Sequence, residues 1–198
     1  MNWSRRFKAG ALVGTMLVCG LAGLVLVPGW RHYWRELLPP ALVTQLNGYR
    51  LGYRVNHSTR IVMPDGIRLA TSVYLPTQHA SRELATIYIR HPYGRSHWQE
   101  GLQAAQYFSS RGYAVVIQDI RGKHDSEGEF IPYRHATSDG AASLDWIVSQ
   151  PWSNGRVGTF GCSALGELQF SLARARHPAH AAMIPMGAGG AMGSALGR

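Results

Sequence analysis

The chain has 198 residues, 45% hydrophobic and 16% charged, which excludes wholesale disorder because this much apolar surface offsets the entropy of ordering. Its two cysteines, Cys19 and Cys162, exclude a disulfide scaffold and a multi-cysteine metal site. The net charge of +9 is lopsided: residues 1–60 hold eight Lys/Arg against one acid, Glu36, so the basic excess does not form a nucleic-acid-binding face on the body.

In chain order, Asn2 to Lys8 is a short basic region, and Ala9 to Trp30 follows without a charge. As a helix that run reaches about 33 Å, against a hydrocarbon core of about 30 Å. It is longer than the apolar part of a signal peptide, about 7–15 residues. The residues at its end, Val25-Leu26-Val27-Pro28, are too bulky for a small-x-small cleavage site. Residues 1–30 are therefore expected to be an uncleaved signal anchor, with a cleaved signal peptide as the alternative. Through residues 9–30 the membrane becomes a partner, and the body is extracytoplasmic, anchored or exported. Residues 31–52 read as a connector, and residues 53–198 as the folded body.

Within the body, Tyr53 to Met63 alternates, Pro64-Asp65-Gly66 punctuates, and Ile67 to Leu75 alternates again, which predicts a β-hairpin. Leu84 to Arg90 is a β-rich strand. Ser96 is expected to cap a helix through Trp98, Leu102, Ala105 and Phe108 that ends at Gly112. Ala114 to Ile117 is an unbroken apolar strand, as burial on both faces requires. Asp139 is expected to start a helix closed by Pro151, and Asn154-Gly155 to form a turn. Val157 to Phe160 reads as a strand, Leu165 to Ala175 as a helix stopped by Pro178, and Ala181 to Met186 as a last strand. A hairpin followed by alternating strands and helices predicts an α/β fold with a mainly parallel sheet.

Gly161-Cys162-Ser163-Ala164-Leu165-Gly166 lies between a predicted strand and a predicted helix. A nucleophile elbow requires that context: small residues allow the turn, and the helix amino terminus favours charge developing on an acyl oxygen. The spacing is G-x-S-x-x-G rather than the plain G-x-S-x-G, and a serine at a helix start also reads as an N-cap. Cys162 is expected to be a buried structural thiol. Gly187-Ala188-Gly189-Gly190 is followed by no lysine-serine pair and reads as loop, and no H-E-x-x-H occurs, so neither cofactor nor metal is expected.

Further motifs stand in order around that serine: Arg90-His91-Pro92-Tyr93-Gly94-Arg95, Arg121-Gly122, Asp125-Ser126-Glu127-Gly128-Glu129-Phe130, Asp139-Gly140, Asp145-Trp146, and Gln150 to Gly158. The ordered set resembles the bacterial serine hydrolases of the Xaa-Pro dipeptidyl-peptidase and cocaine esterase family, over roughly residues 55 to 190. The resemblance implies an α/β-hydrolase fold and cleavage of esters or amides through an acyl-serine. It implies Ser163 as nucleophile, the Tyr93 hydroxyl in the oxyanion hole, and the backbone N–H of Ala164 as the second donor. The family usually has tyrosine after the serine; Ala164 makes the pocket wall beside it smaller.

A serine also needs a base and an acid to orient that base. In α/β-hydrolases both follow the serine, and after Ser163 the chain has Glu167, His177 and His180 alone. Helical rise puts the two histidines about 20 Å from the elbow. His91 and His124 read as pocket and loop residues. The expectation is therefore the N-terminal part of an α/β-hydrolase domain, catalytically incomplete, with a small acyl-bearing molecule or peptide as substrate. The alternative is a non-catalytic remnant or a membrane-anchored binding module.

Overall fold

A computed structural model of the protein describes residues 52–78, 83–97 and 99–189. The basic start, the apolar run and the connector through Leu51 lie outside the described residues. Among those described, no helix is long and apolar enough to cross a membrane.

The alternating segments pair as a hairpin, β1 (Tyr53–Val62) with β2 (Arg68–Pro76). Gly66 closes its turn at φ 84°, a conformation that costs glycine little, and donates its N–H to Met63 O at 2.9 Å. There follow β3 (Leu84–His91), α1 (Gln99–Ser109), β4 (Ala114–Asp119), α2 (Ala136–Val148), β5 (Ser153–Cys162), α3 (Ala164–Ala173) and β6 (His180–Met186). The sheet order is β1-β2-β4-β3-β5-β6. The hairpin joins β4 antiparallel, and β4, β3, β5 and β6 run parallel.

Period-two alternation sorts the core onto two faces. Tyr74, Ile89, Val115 and Ile117 pack with Ala105 of α1. Val73, Tyr88 and Val116 pack with Leu144 and Ile147 of α2 and Leu172 of α3. β4 is buried along its whole length, as its continuous apolar run required. On the α2 face that run ends in Gln118, whose amide donates to Ser143 Oγ at 3.0 Å and Thr71 Oγ1 at 3.3 Å while its oxygen accepts from Tyr88.

Three boundaries differ from the sequence expectation. α2 starts at Ala136, before Asp139, because the Asp139 carboxylate is held by Arg121 at 2.7 and 2.9 Å and is not available to cap a helix. Asn154-Gly155 lies inside β5, where the pairing slips between Leu84 opposite Ser153 and Thr86 opposite Val157; Gly155 takes φ 79° there, a bulge and not a chain reversal. α1 starts at Gln99, and Ser96 Oγ pairs instead with His97 Nδ1 at 3.0 Å.

Candidate active site

β3 and β5 are parallel neighbours with Tyr88 opposite Thr159. Counting on three residues, His91 stands level with Cys162, so the chain leaves both strands at one carboxyl edge. Pro92-Tyr93 and Cys162-Ser163 thus begin on adjacent strands, which are about 4.8 Å apart in a sheet. Ligands in open α/β sheets bind at that edge.

Ser163 sits at the N-cap of α3 with φ 56° and ψ −122°, and its side chain makes no capping hydrogen bond. An N-cap serine ordinarily adopts extended backbone and turns its oxygen onto the helix N–H groups. Here the backbone is in a region that costs a non-glycine residue about 1–3 kcal/mol, and the residue is exposed. The turn is locked from both sides. Ser163 N–H donates to Met186 O at 2.8 Å, and Glu167 N–H donates to Ser163 O at 3.0 Å.

The two flanking glycines have steric reasons. A Cβ at Gly161 would stand 2.4 Å from Leu165 Cβ, and one at Gly166 would stand 2.5 Å from Ala188 Cβ and 3.2 Å from Met186 O. The longer G-x-S-x-x-G spacing thus reflects close passage of the β6 exit loop over the first turn of α3. As the first residue of α3, Ala164 has an N–H without an intrahelical acceptor, at the positive end of the helix.

Tyr93 is 44% exposed. Its ring stacks on His91 with centroids 6.2 Å apart at 13°, and its N–H donates to His91 Nδ1 at 3.2 Å. His91 is fully buried. Burial foremost, then the His124 and Arg95 charges, push its pKa down to about 3. The ring is therefore neutral and suited to accept the Tyr93 N–H. His124 Nε2 lies 2.9 Å from Pro92 O. Arg95 binds Asp119 at 2.9 Å, Asp125 at 2.6 Å and His57 O at 3.0 Å. The Tyr93 loop is clamped from three directions.

His91 is thus a support beneath Tyr93 and does not line a pocket, because a ring at the end of a buried strand faces the core. Cys162 is exposed rather than buried: it is the last residue of β5, opposite Met186, on the face away from buried Gly161; its Sγ would touch a Cβ on Gly187 at 3.1 Å. His177 Nε2 lies 3.0 Å from Asp145 Oδ1, and His180 Nε2 lies 3.0 Å from Thr159 Oγ1, so both are held along the sheet as helical rise implied. Glu167 Oε1 accepts the Gly189 N–H at 2.9 Å. Among the described residues no histidine or carboxylate bonds Ser163 Oγ, and no cluster of ligating side chains forms a metal site.

Two participants were not legible in the sequence. Arg90 is buried and donates to Ala136 O at 2.6 Å and Leu168 O at 2.9 Å, tying α2 to α3 beneath the elbow. Tyr133, at φ 57°, stands close enough to Glu167 and Tyr93 that, after burial, their charges push its pKa up. Arg90 heads the Arg90-to-Arg95 motif without a role being read for it, and no motif marks Tyr133.

A family model described as X-Pro dipeptidyl-peptidase (S15 family) matches residues 65–194. Cocaine esterase of Rhodococcus sp. (strain MB1 Bresler) is 39% identical over 124 residues, covering 61% of this chain and 21% of that protein. Among solved structures, an α-amino acid ester hydrolase superposes with a TM-score of 0.60 at 28% identity, covering 68% of this chain and 26% of the other. An aminopeptidase from a marine sediment archaeon, Thaumarchaeota archaeon, also gives 0.60, at 27% identity, over 68% of this chain and 25% of the other. The chain thus spans about a fifth to a quarter of these relatives' lengths.

Proposed function

Because the chain belongs to the X-Pro dipeptidyl-peptidase (S15) family, we propose that it carries the nucleophile and oxyanion half of a serine hydrolase that cleaves an ester or amide. The observation that carries this reading is the hydroxyl of Ser163, raised on a strained N-cap without capping its helix. Ser163 Oγ attacks the acyl carbon, and the carbonyl electrons move to oxygen. The Tyr93 hydroxyl and the Ala164 N–H donate to that oxyanion, which the α3 dipole also favours. The leaving group departs with a proton and the acyl-serine remains, to be released by water.

The proton from Ser163 requires a base. His91 is neutral and buried beneath Tyr93, and His177 and His180 are engaged elsewhere. The base and its acid are assigned to strands that follow β6, as the family resemblance implies. With His177 held by Asp145 and His180 by Thr159, the alternative reading is a non-catalytic module that keeps the fold. The uncharged run 9–30 supports placement at a membrane or export across it.

A fluorophosphonate probe on the full chain separates the two. Labelling that maps to Ser163 and vanishes in Ser163→Ala supports the hydrolase. An unlabelled Ser163 in folded protein supports the module.

A further inference from the structure

A cavity of about 170 Å³ opens beside the elbow, and its wall includes Pro92 and Ala164. These residues adjoin the two proposed oxyanion donors: Pro92 precedes Tyr93, and Ala164 follows Ser163. A carbonyl oxygen held between those donors has this space next to its carbon. We propose that the cavity is the acyl-group subsite, that it takes an uncharged apolar acyl group of about six heavy atoms, and that Ala164 sets its size. The assignment rests on Ser163 as the nucleophile.

Size and polarity point the same way. Apolar cavities of about 150 Å³ admit a benzene ring, so the space here suits a six-carbon group. Leu69, Arg90, Gln118, Ala136, Asp139 and Leu168 line it and are buried. Their polar groups are already engaged. Asp139 is paired with Arg121, Arg90 is taken by two helix carbonyls, and Gln118 is held by Ser143 and Thr71. Glu129, also on the wall, is exposed rather than buried, so no buried charge remains to recruit an ion, while Ile120, Phe130 and Ile131 add apolar wall. A leaving group must exchange with water, whereas the acyl group stays on the serine, so the side lined by buried residues suits the acyl group. Ala164 contributes one side-chain carbon to this wall, and a bulkier residue there takes up the space.

The test uses unreactive amides, so binding is read independently of serine reactivity. Acetamide, hexanamide and 6-aminohexanamide are titrated against the full chain by saturation-transfer NMR. Each buried methylene is worth about fourfold in affinity. Hexanamide is expected to bind at least tenfold tighter than acetamide, and 6-aminohexanamide, with its terminal ammonium, no tighter than acetamide. The hexanamide preference is expected to disappear in Ala164→Phe and in Ile131→Trp, which fill the cavity from different walls; circular dichroism identifies which variants fold.

Equal binding of hexanamide and acetamide by the unsubstituted chain overturns the proposal, with no variant needed. So does a preference that survives in a folded filled variant, or an ammonium analogue that binds like hexanamide. Labelled Ser163 without the hexanamide preference removes the subsite and leaves the nucleophile. The preference without labelling removes the nucleophile, and the acyl assignment with it.

Discussion

Acid should unfold this domain through His91. The ring is fully buried, accepts the Tyr93 N–H through Nδ1 and faces the charges of His124 and Arg95, so its pKa falls from 6.5 to about 3. In the unfolded chain the same imidazole takes up a proton near pH 6.5. A depressed native pKa means that the unfolded state binds protons first. The stability due to neutral His91 is therefore complete above pH 6.5 and drains as pH falls towards 3. The slope approaches 1.4 kcal/mol per pH unit, so the loss is about 2 kcal/mol at pH 5 and about 4 kcal/mol at pH 3. His57 and His180 are also shifted down by burial and drain in the same direction, so the comparison must be made against a variant. His91→Asn retains an acceptor for the Tyr93 N–H and cannot titrate. Urea unfolding at pH 7.5 and pH 5 should show the unsubstituted chain losing about 2 kcal/mol more than His91→Asn over that interval. Parallel losses would refute the reasoning and return His91 to an ordinary, solvated pKa.

Other substitutions probe the elbow and its supports. Tyr93→Phe should slow fluorophosphonate labelling of Ser163 by about a hundredfold, the usual effect of removing one oxyanion donor, while the melting temperature holds; an unchanged labelling rate removes Tyr93 from the oxyanion hole. Gly166→Ala forces a methyl within 2.5 Å of Ala188 Cβ and should cost about 1–3 kcal/mol in urea unfolding. A neutral result there would mean that the β6 exit loop yields freely. Arg90→Met strips the Ala136 and Leu168 carbonyls of their donor, at about 1–3 kcal/mol for each buried acceptor left unmet. Stability within 0.5 kcal/mol of the parent would show that the methionine variant repacks without loss, about the scatter of ordinary surface substitutions.

What was legible in the sequence was what periodicity and local turn chemistry control. The hairpin around Pro64-Asp65-Gly66, the buried run of β4 and the helix after Ser163 each follow from a pattern within a dozen residues. The misplaced boundaries are those set by distant partners. Asp139 reads as a helix start, but Arg121, from the loop after β4, takes its carboxylate. Asn154-Gly155 reads as a reversal, but pairing with β3 turns it into a bulge. Cys162 reads as buried against the sheet, but as the last residue of β5 it falls on the strand's less buried face and is exposed.

The site divides along the same line. Ser163 was marked by its glycine-rich turn, which is local, and Tyr93 through the family resemblance that its Pro-Tyr pair helps to carry. The supporting role of Arg90 was not, although Arg90 heads the Arg90-to-Arg95 motif, because it acts from within β3 on groups far along the chain: Leu168 is 78 residues from Arg90. This has a consequence for how the site tolerates change. The Ser163 strain is maintained by Met186 and by the close passage of Ala188 over Gly166, so the nucleophile's geometry depends on β6 remaining docked on β5. β6 exposes Ile184 and Met186, and it pairs with β5 from Val157 to Cys162. Weakening that pairing should relax the Ser163 backbone before it unfolds the hairpin, because the hairpin and β4 lie on the far side of β3 and share no pairing with β6.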